Sequence, residues 1–192
     1  MNKDEKLTIT KDRLLDATFR LMEESDDPLT VTSRQIASAA DVKPSMINYC
    51  FGSRENLIYS VFQKQYLGFL SDTKVKELLA SDLSPKDLLK ALHFEVAKCL
   101  VDNHKFTRAT TGFILFKRDL GQESFSYHYV MEHYAGRKTE AECRMIAYEM
   151  STMMQLIIYR KDDIKRDFGI DLDNEDELRK VIGMRIDLLL GE

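Results

Sequence analysis

Apolar residues recur at three- and four-residue spacing along almost all of this 192-residue chain, and strict alternation with polar residues is rare. That period gathers apolar groups on one face of a helix, so the pattern predicts an all-α chain. Only three prolines and eight glycines interrupt it. Thr10 is read as the cap of a first helix whose stripe is Leu14, Leu15, Thr18, Leu21 and Met22, stopped by Asp26-Asp27-Pro28. Thr32 or Ser33 opens a short second helix carrying Ile36, Ala37 and Ala40. Asp41-Val42-Lys43 makes a turn, and Pro44 begins a brief third helix that Phe51-Gly52-Ser53 interrupts. Ser53 caps a fourth helix with Leu57, Ile58, Val61, Phe62, Phe69 and Leu70 on its apolar side; its pattern runs on toward Leu79, with a bend near Gly68. Ser84-Pro85-Lys86-Asp87 is a further start signal, a hydroxyl cap followed by proline and acid. Later helices are expected over about 105–119, 123–134, 139–161 and 174–190.

The segment from Thr32 to Tyr49 has the form of a helix-turn-helix. Two short helices joined by a tight turn set the second across a DNA major groove, its first residues against base edges, while the first braces it. Such a pair needs small residues where the helices touch, which Ala37, Ala40 and Val42 supply, and apolar anchors beneath the reading helix, here Ile47 and Phe51. Its outer face needs hydroxyls, amides and cations. Ser33, Arg34, Lys43, Ser45, Tyr49 and Arg54 fit phosphate or groove-edge contacts, whereas Pro44, Met46 and Asn48 lie where bases are read.

Charge qualifies this picture without removing it. The net charge is −4, but from Thr32 to Lys64 four cations stand against two anions, a local +2. From Asp171 to Glu192 seven anions stand against three cations, a local −4. DNA contact needs local positive potential, not a basic whole protein. No apolar run approaches the roughly 18 residues of a membrane span, and the charged first residues lack an apolar export core, so a cytoplasmic protein is expected. Cys50, Cys99 and Cys143 are widely spaced, which suits a reducing compartment and argues against disulfides or a zinc site. His128 and His133 lack helical metal-pair spacing, so no metal and no cofactor are expected. GxSxG, P-loop and HExxH motifs are missing, which speaks against an enzyme.

The run Thr32-Ser33-Arg34-Gln35-Ile36-Ala37-Ser38-Ala39-Ala40-Asp41-Val42, then Ile47-Asn48-Tyr49-Cys50-Phe51-Gly52-Ser53-Arg54-Glu55-Asn56-Leu57, resembles the TetR family of bacterial regulators. Thr10-Lys11 and Leu14-Leu15-Asp16-Ala17 match that family's usual opening, so the resemblance covers about residues 10–65. Asp41 stands where the family has glycine, Lys43 where it has a capping serine, and Asn48 where it commonly has tyrosine.

The resemblance implies an N-terminal three-helix DNA-binding domain (1–52), helix 4 as connector (53–70), and a helical ligand-sensing and dimerisation domain (71–192). It implies a homodimer on a palindromic double-stranded operator, acting as a repressor that a small, mostly apolar effector releases. Expected pocket residues are Phe94, Phe113, Phe116, Tyr127, His133, Met150 and Met154, an apolar wall with a few polar groups. Expected interface residues are Met153, Ile157, Leu178, Ile182, Ile186 and Leu189 on the last two long helices. The alternatives are a redox switch at Cys50, control by a protein partner, or an architectural module that no longer responds to ligand.

Overall fold

The computed structural model describes residues 2–70, 72–120 and 124–191, and all regular structure within them is helical. The order is α1 (Lys3–Glu24), a 3₁₀ turn (Pro28–Thr30), α2 (Ser33–Ala39), α3 (Ser45–Phe51), α4 (Arg54–Leu70) and α5 (Thr73–Leu79). There follow α6 (Pro85–Asp102), α7 (His104–Phe116), α8 (Ser126–Tyr134), α9 (Glu140–Tyr159), α10 (Lys161–Phe168) and α11 (Glu175–Leu190). Among the described residues no helix is long and apolar enough to cross a membrane. The chain divides into two units: Met1–Gly68 with Arg108–Phe116, and Phe69–Thr107 with Lys117–Glu192.

In the first unit α1 starts at Lys3, not after Thr10. Asn2 and Glu5 exchange side-chain-to-backbone hydrogen bonds of 2.8 Å each, a capping box. Thr10 instead donates its hydroxyl to the Lys6 carbonyl at 2.8 Å inside the helix. α1 packs on α2 and α3. Leu14, Ala17 and Met22 are buried, as are Ile36 and Ala37, Ile47, and Leu57, Ile58 and Val61 of α4. Ser53 accepts from the Asn56 amide at 3.0 Å, the expected cap of α4. The run toward Leu79 is two helices, not one bent helix, because the Asp72 carboxylate accepts from the Lys74 amide at 2.8 Å and starts α5 afresh. The side chains of Phe69 and Leu70, and the expected helix start at Glu123, lie outside the described residues.

In the second unit α6 is the common partner of α5, α8, α9 and α11. Its start follows the signal: the Ser84 hydroxyl accepts from the Asp87 amide, with Pro85 in the first turn. Leu89, Leu92, Phe94, Val96 and Ala97 then fill the centre, with Val130 of α8, Cys143, Ala147 and Ile158 of α9, and Leu178, Ile182 and Ile186 of α11. Lys86 and Lys90 both reach Asp187 at 2.7 Å, and Lys98 pairs with Glu175, tying α6 to α11 along their edges. Lys86 and Lys90 are half-buried, but all three pairs sit at the solvent edge, where such pairs are worth about 0–1 kcal/mol each, so they set register more than stability.

The helix expected over 139–161 ends at Tyr159, and α10 follows it unannounced. α10 buries no residue and is held by ion pairs: Arg160–Asp163 at 2.9 Å, Arg166–Asp163 at 2.9 Å and Lys161–Asp173 at 2.7 Å. Gly169, at φ +71°, closes it in the left-handed region that glycine enters without strain.

Candidate nucleic-acid interface

Local chemistry builds the α2–α3 pair. Thr32 accepts from the Gln35 amide at 3.3 Å while Gln35 accepts from the Thr32 amide at 2.8 Å, a second capping box. α2 ends in a two-bond lock, Asp41 N–H to the Ser38 carbonyl at 3.1 Å and Val42 N–H to the Ala37 carbonyl at 2.9 Å. That is the Schellman arrangement, whose residue after the cap must be left-handed. Asp41 occupies it at φ +52°, where glycine would be unstrained, and Arg13 of α1 holds its carboxylate at 3.1 Å. Pro44 stands at the head of α3 with helical angles, where its missing N–H costs nothing.

These two fixed ends leave α3 with one buried face and one open face. Ile47 is buried and Phe51 half-buried, while Lys43, Pro44, Ser45, Asn48 and Tyr49 are exposed, Tyr49 to 63%. Ser45, Asn48 and Tyr49 share one side, following the helical period. Met46 and Ser33 are half-buried at the edges, and Arg34 is exposed on α2. Neither Arg34 nor Lys43 takes part in an ion pair among the described residues.

Arg54 is different. Its Nε donates to the Val31 carbonyl at 2.7 Å and its guanidinium to the Leu29 carbonyl at 2.8 Å, with Glu55 at 3.6 Å. The side chain braces the loop that leads into α2. Sequence reasoning missed this role because the carbonyls it satisfies lie 23 and 25 positions away. Cys50 is half-buried beside Lys11; burial pushes its thiol above the ordinary value, and Lys11 partly opposes the shift.

Each unit holds some of the expected pocket residues, and within the second unit Tyr127 lines one cavity while Met150 and Met154 line another. Phe113 packs against Tyr59, the ring centres 4.7 Å apart and the planes tilted by 31°, and belongs, with the 83%-exposed Phe116, to the first unit. In the second unit Phe94 is buried beneath the Arg179 guanidinium, 3.6 Å from its ring centre. His133 is engaged with the Leu190 carbonyl at 3.1 Å, at the end of α11. Tyr127 lines a cavity of about 60 Å³ with Arg118, Arg144 and Tyr148. Met150 and Met154 line a gap of about 20 Å³ together with His93, and five positions expected at the interface or beside it close the same gap: Met153, Ile157, Ile182, Ile186 and Leu189. Its size is that of about one water.

Three of the expected interface positions lie in the core of the single chain. Leu178, Ile182 and Ile186 are 1–3% exposed within a single chain, so α11 spends them on its own core. The apolar residues it leaves outside are Met184 (59%) and Leu188 (70%), and α9 exposes Met145, Met153 and Leu156. The pairs at i and i+4 were visible in the sequence, but which of α11's two apolar stripes faces α6 was not.

No family model and no curated protein matches the sequence. Among solved structures, the chain is similar to a TetR-like transcriptional regulator from Rhodococcus sp. RHA1, with 15% identity, 100% of both chains covered and a TM-score of 0.49. A likeness at that level carries neither family membership nor function over to this chain.

Proposed function

We propose that this chain is a TetR-like, sequence-specific DNA-binding regulator. The observation that supports it most is the open face of α3: hydroxyl, amide and phenol on one side of a short helix, flanked by Arg34 and Lys43, which form no ion pair among the described residues, above a buried Ile47. Ser45, Asn48 and Tyr49 are exposed to solvent and are not spent on the core. Asn48 and Met46 read bases, an amide suited to adenine and a thioether to a thymine methyl. Ser33, Arg34, Lys43, Ser45 and Tyr49 contact the backbone or groove edge, with Pro44 at the groove floor. Arg54 contributes by holding the loop before α2.

The regulator acts in the cytoplasm as a homodimer on a palindromic operator, through the apolar stripe of α9 and α11 that includes Met145, Met153, Leu156, Met184 and Leu188. Two heads on one duplex then meet successive major grooves about 34–36 Å apart. Repression relieved by a small effector is the regulatory mode, and the effector works by its difference in affinity for the DNA-competent and incompetent states. The raised Cys50 thiol disfavours the thiolate that a redox switch requires.

Selecting bound duplexes from a random pool tests the reading. The expected product is a palindrome with half-sites one helical turn apart, bound with an affinity that falls steeply with salt. Recovery of no sequence preference would overturn it.

A further inference from the structure

The cavity beside the start of α8 has a chemistry unlike the apolar wall expected from the sequence. Arg118, Ser124, Tyr127, Arg144, Tyr148 and Ser151 line it, and its volume is about 60 Å³. At about 30 Å³ per water, that is room for two waters or one carboxylate group, not for a whole drug-sized molecule.

Its polar groups are not equivalent. Arg144 is committed to Glu140 at 2.9 and 3.1 Å and lies over the Tyr127 ring at 4.6 Å. Arg144 also holds the Glu140 carboxyl below its usual range, so that carboxylate stays ionised and cancels the Arg144 charge. Ser151 donates to the Ala147 and Tyr148 carbonyls at 3.1 Å, so its proton is spent. Ser124 accepts from the Ser126 amide at 3.3 Å and keeps its own proton. Arg118 stands apart: its Nε is buried and has no hydrogen-bond partner among the described residues. A buried guanidinium donor left unmet is costly, and an arriving oxyanion removes that cost with a charge-assisted bond.

We propose that this cavity is an anion site that seats the carboxylate of a small organic acid, with Arg118 as its charge partner and the Ser124 and Tyr148 hydroxyls as neutral donors. Arg118 forms no ion pair among the described residues, and a single guanidinium charge matches a monoanion better than a phosphate dianion. The acid's tail extends out of the cavity, since the volume takes only the headgroup. Binding stands independently of DNA; that the acid is the effector rests on the regulator reading.

Calorimetric titration of the full chain with butyrate, butyramide and inorganic phosphate tests the site. Saturable one-to-one binding of butyrate is expected, with butyramide and phosphate at least about tenfold weaker. Arg118→Gln should weaken butyrate about tenfold or more, and Arg118→Lys, which keeps the charge but loses the planar fork, severalfold. Equal affinity for the amide, tighter binding of phosphate, an unchanged Arg118→Gln or Arg118→Lys protein, or no saturation by roughly tens of millimolar would each overturn the proposal, the last leaving a water-filled gap. If Arg118→Gln does not fold, Arg118→Lys and the amide comparison decide the matter. Failure to select any operator would sink the regulator reading while leaving this titration intact.

Discussion

The α2–α3 pair and the α9–α11 pair expose opposite chemistry, although both rest on a well-buried apolar face. Around Ile47 the head shows water a cation, a hydroxyl, an amide and a phenol. Around Ile186 and Ile158 the second pair shows Met145, Leu156, Met184 and Leu188. An exposed polar side chain is ordinary, whereas a run of exposed large apolar groups on adjoining helices marks a surface awaiting a partner. The difference is the ground of the proposed division of partners: a charged, hydrated polymer for the head, an apolar surface for α9 and α11. It also separates residues that build a region from residues that use it, and substitution can pull those two sets apart.

The largest effect should come from crossing that line within α11. Ile186→Ala removes a buried side chain and should cost about 2–5 kcal/mol of unfolding free energy, measured by urea denaturation. Leu188→Glu, two positions on, should leave the far-ultraviolet spectrum unchanged and turn a dimer into a monomer by sedimentation. A dimer that survives Leu188→Glu together with Met184→Glu would break the comparison.

Acid should discriminate between the regions next. His93 is buried in α6, 2.7 Å from the Ser126 hydroxyl, and burial lowers its pKa to about 4. The folded state therefore prefers the neutral ring. Its contribution is complete above the unfolded value near 6.5 and is lost as pH falls from there to about 4, a span of roughly 3 kcal/mol. His93→Gln should flatten the stability profile in that window. Hydrogen exchange should show the acid-sensitive amides in α6 and α8 rather than in α2 and α3, which sharpens the contrast.

At the head, Asn48→Ala should cost about 1–3 kcal/mol of operator binding and relax sequence preference at one position. Lys43→Ala should weaken all sequences alike and lower the salt slope by about 1. If the two variants behaved identically, base reading and backbone contact would not be divided as drawn. The smallest effect belongs to Asp41→Gly. Relief of the left-handed strain offsets loss of the exposed Arg13 pair, so a net gain of less than about 1 kcal/mol is expected in thermal melting.

Much of this was legible in the sequence, for a physical reason. Helix starts at Thr32, Ser84, Thr139 and Asn174 are set by side chains bonding amides two or three residues away, and such bonds are written locally. The same logic identified the α2–α3 turn, although Asp41 stands where glycine is easier. It failed where a stronger local signal lay nearby, as with Asn2 and Glu5 upstream of Thr10, and where charge pairs support a helix that buries no residue, as in α10.

What the sequence determined by itself is that the chain is helical, where most helices begin, and that Thr32 to Tyr49 forms two short helices about a tight turn. What only the tertiary structure decided is the use of each side chain. Arg54 spends its charge on Leu29 and Val31, α11 buries the stripe with Ile186 and exposes the one with Leu188, and Arg118 lines a cavity with its Nε unmet among the described residues. The reason is range: a cap closes within a turn of the backbone, whereas the Arg54 bonds reach 23 and 25 positions back and burial joins separate helices, and no local period encodes which face meets which.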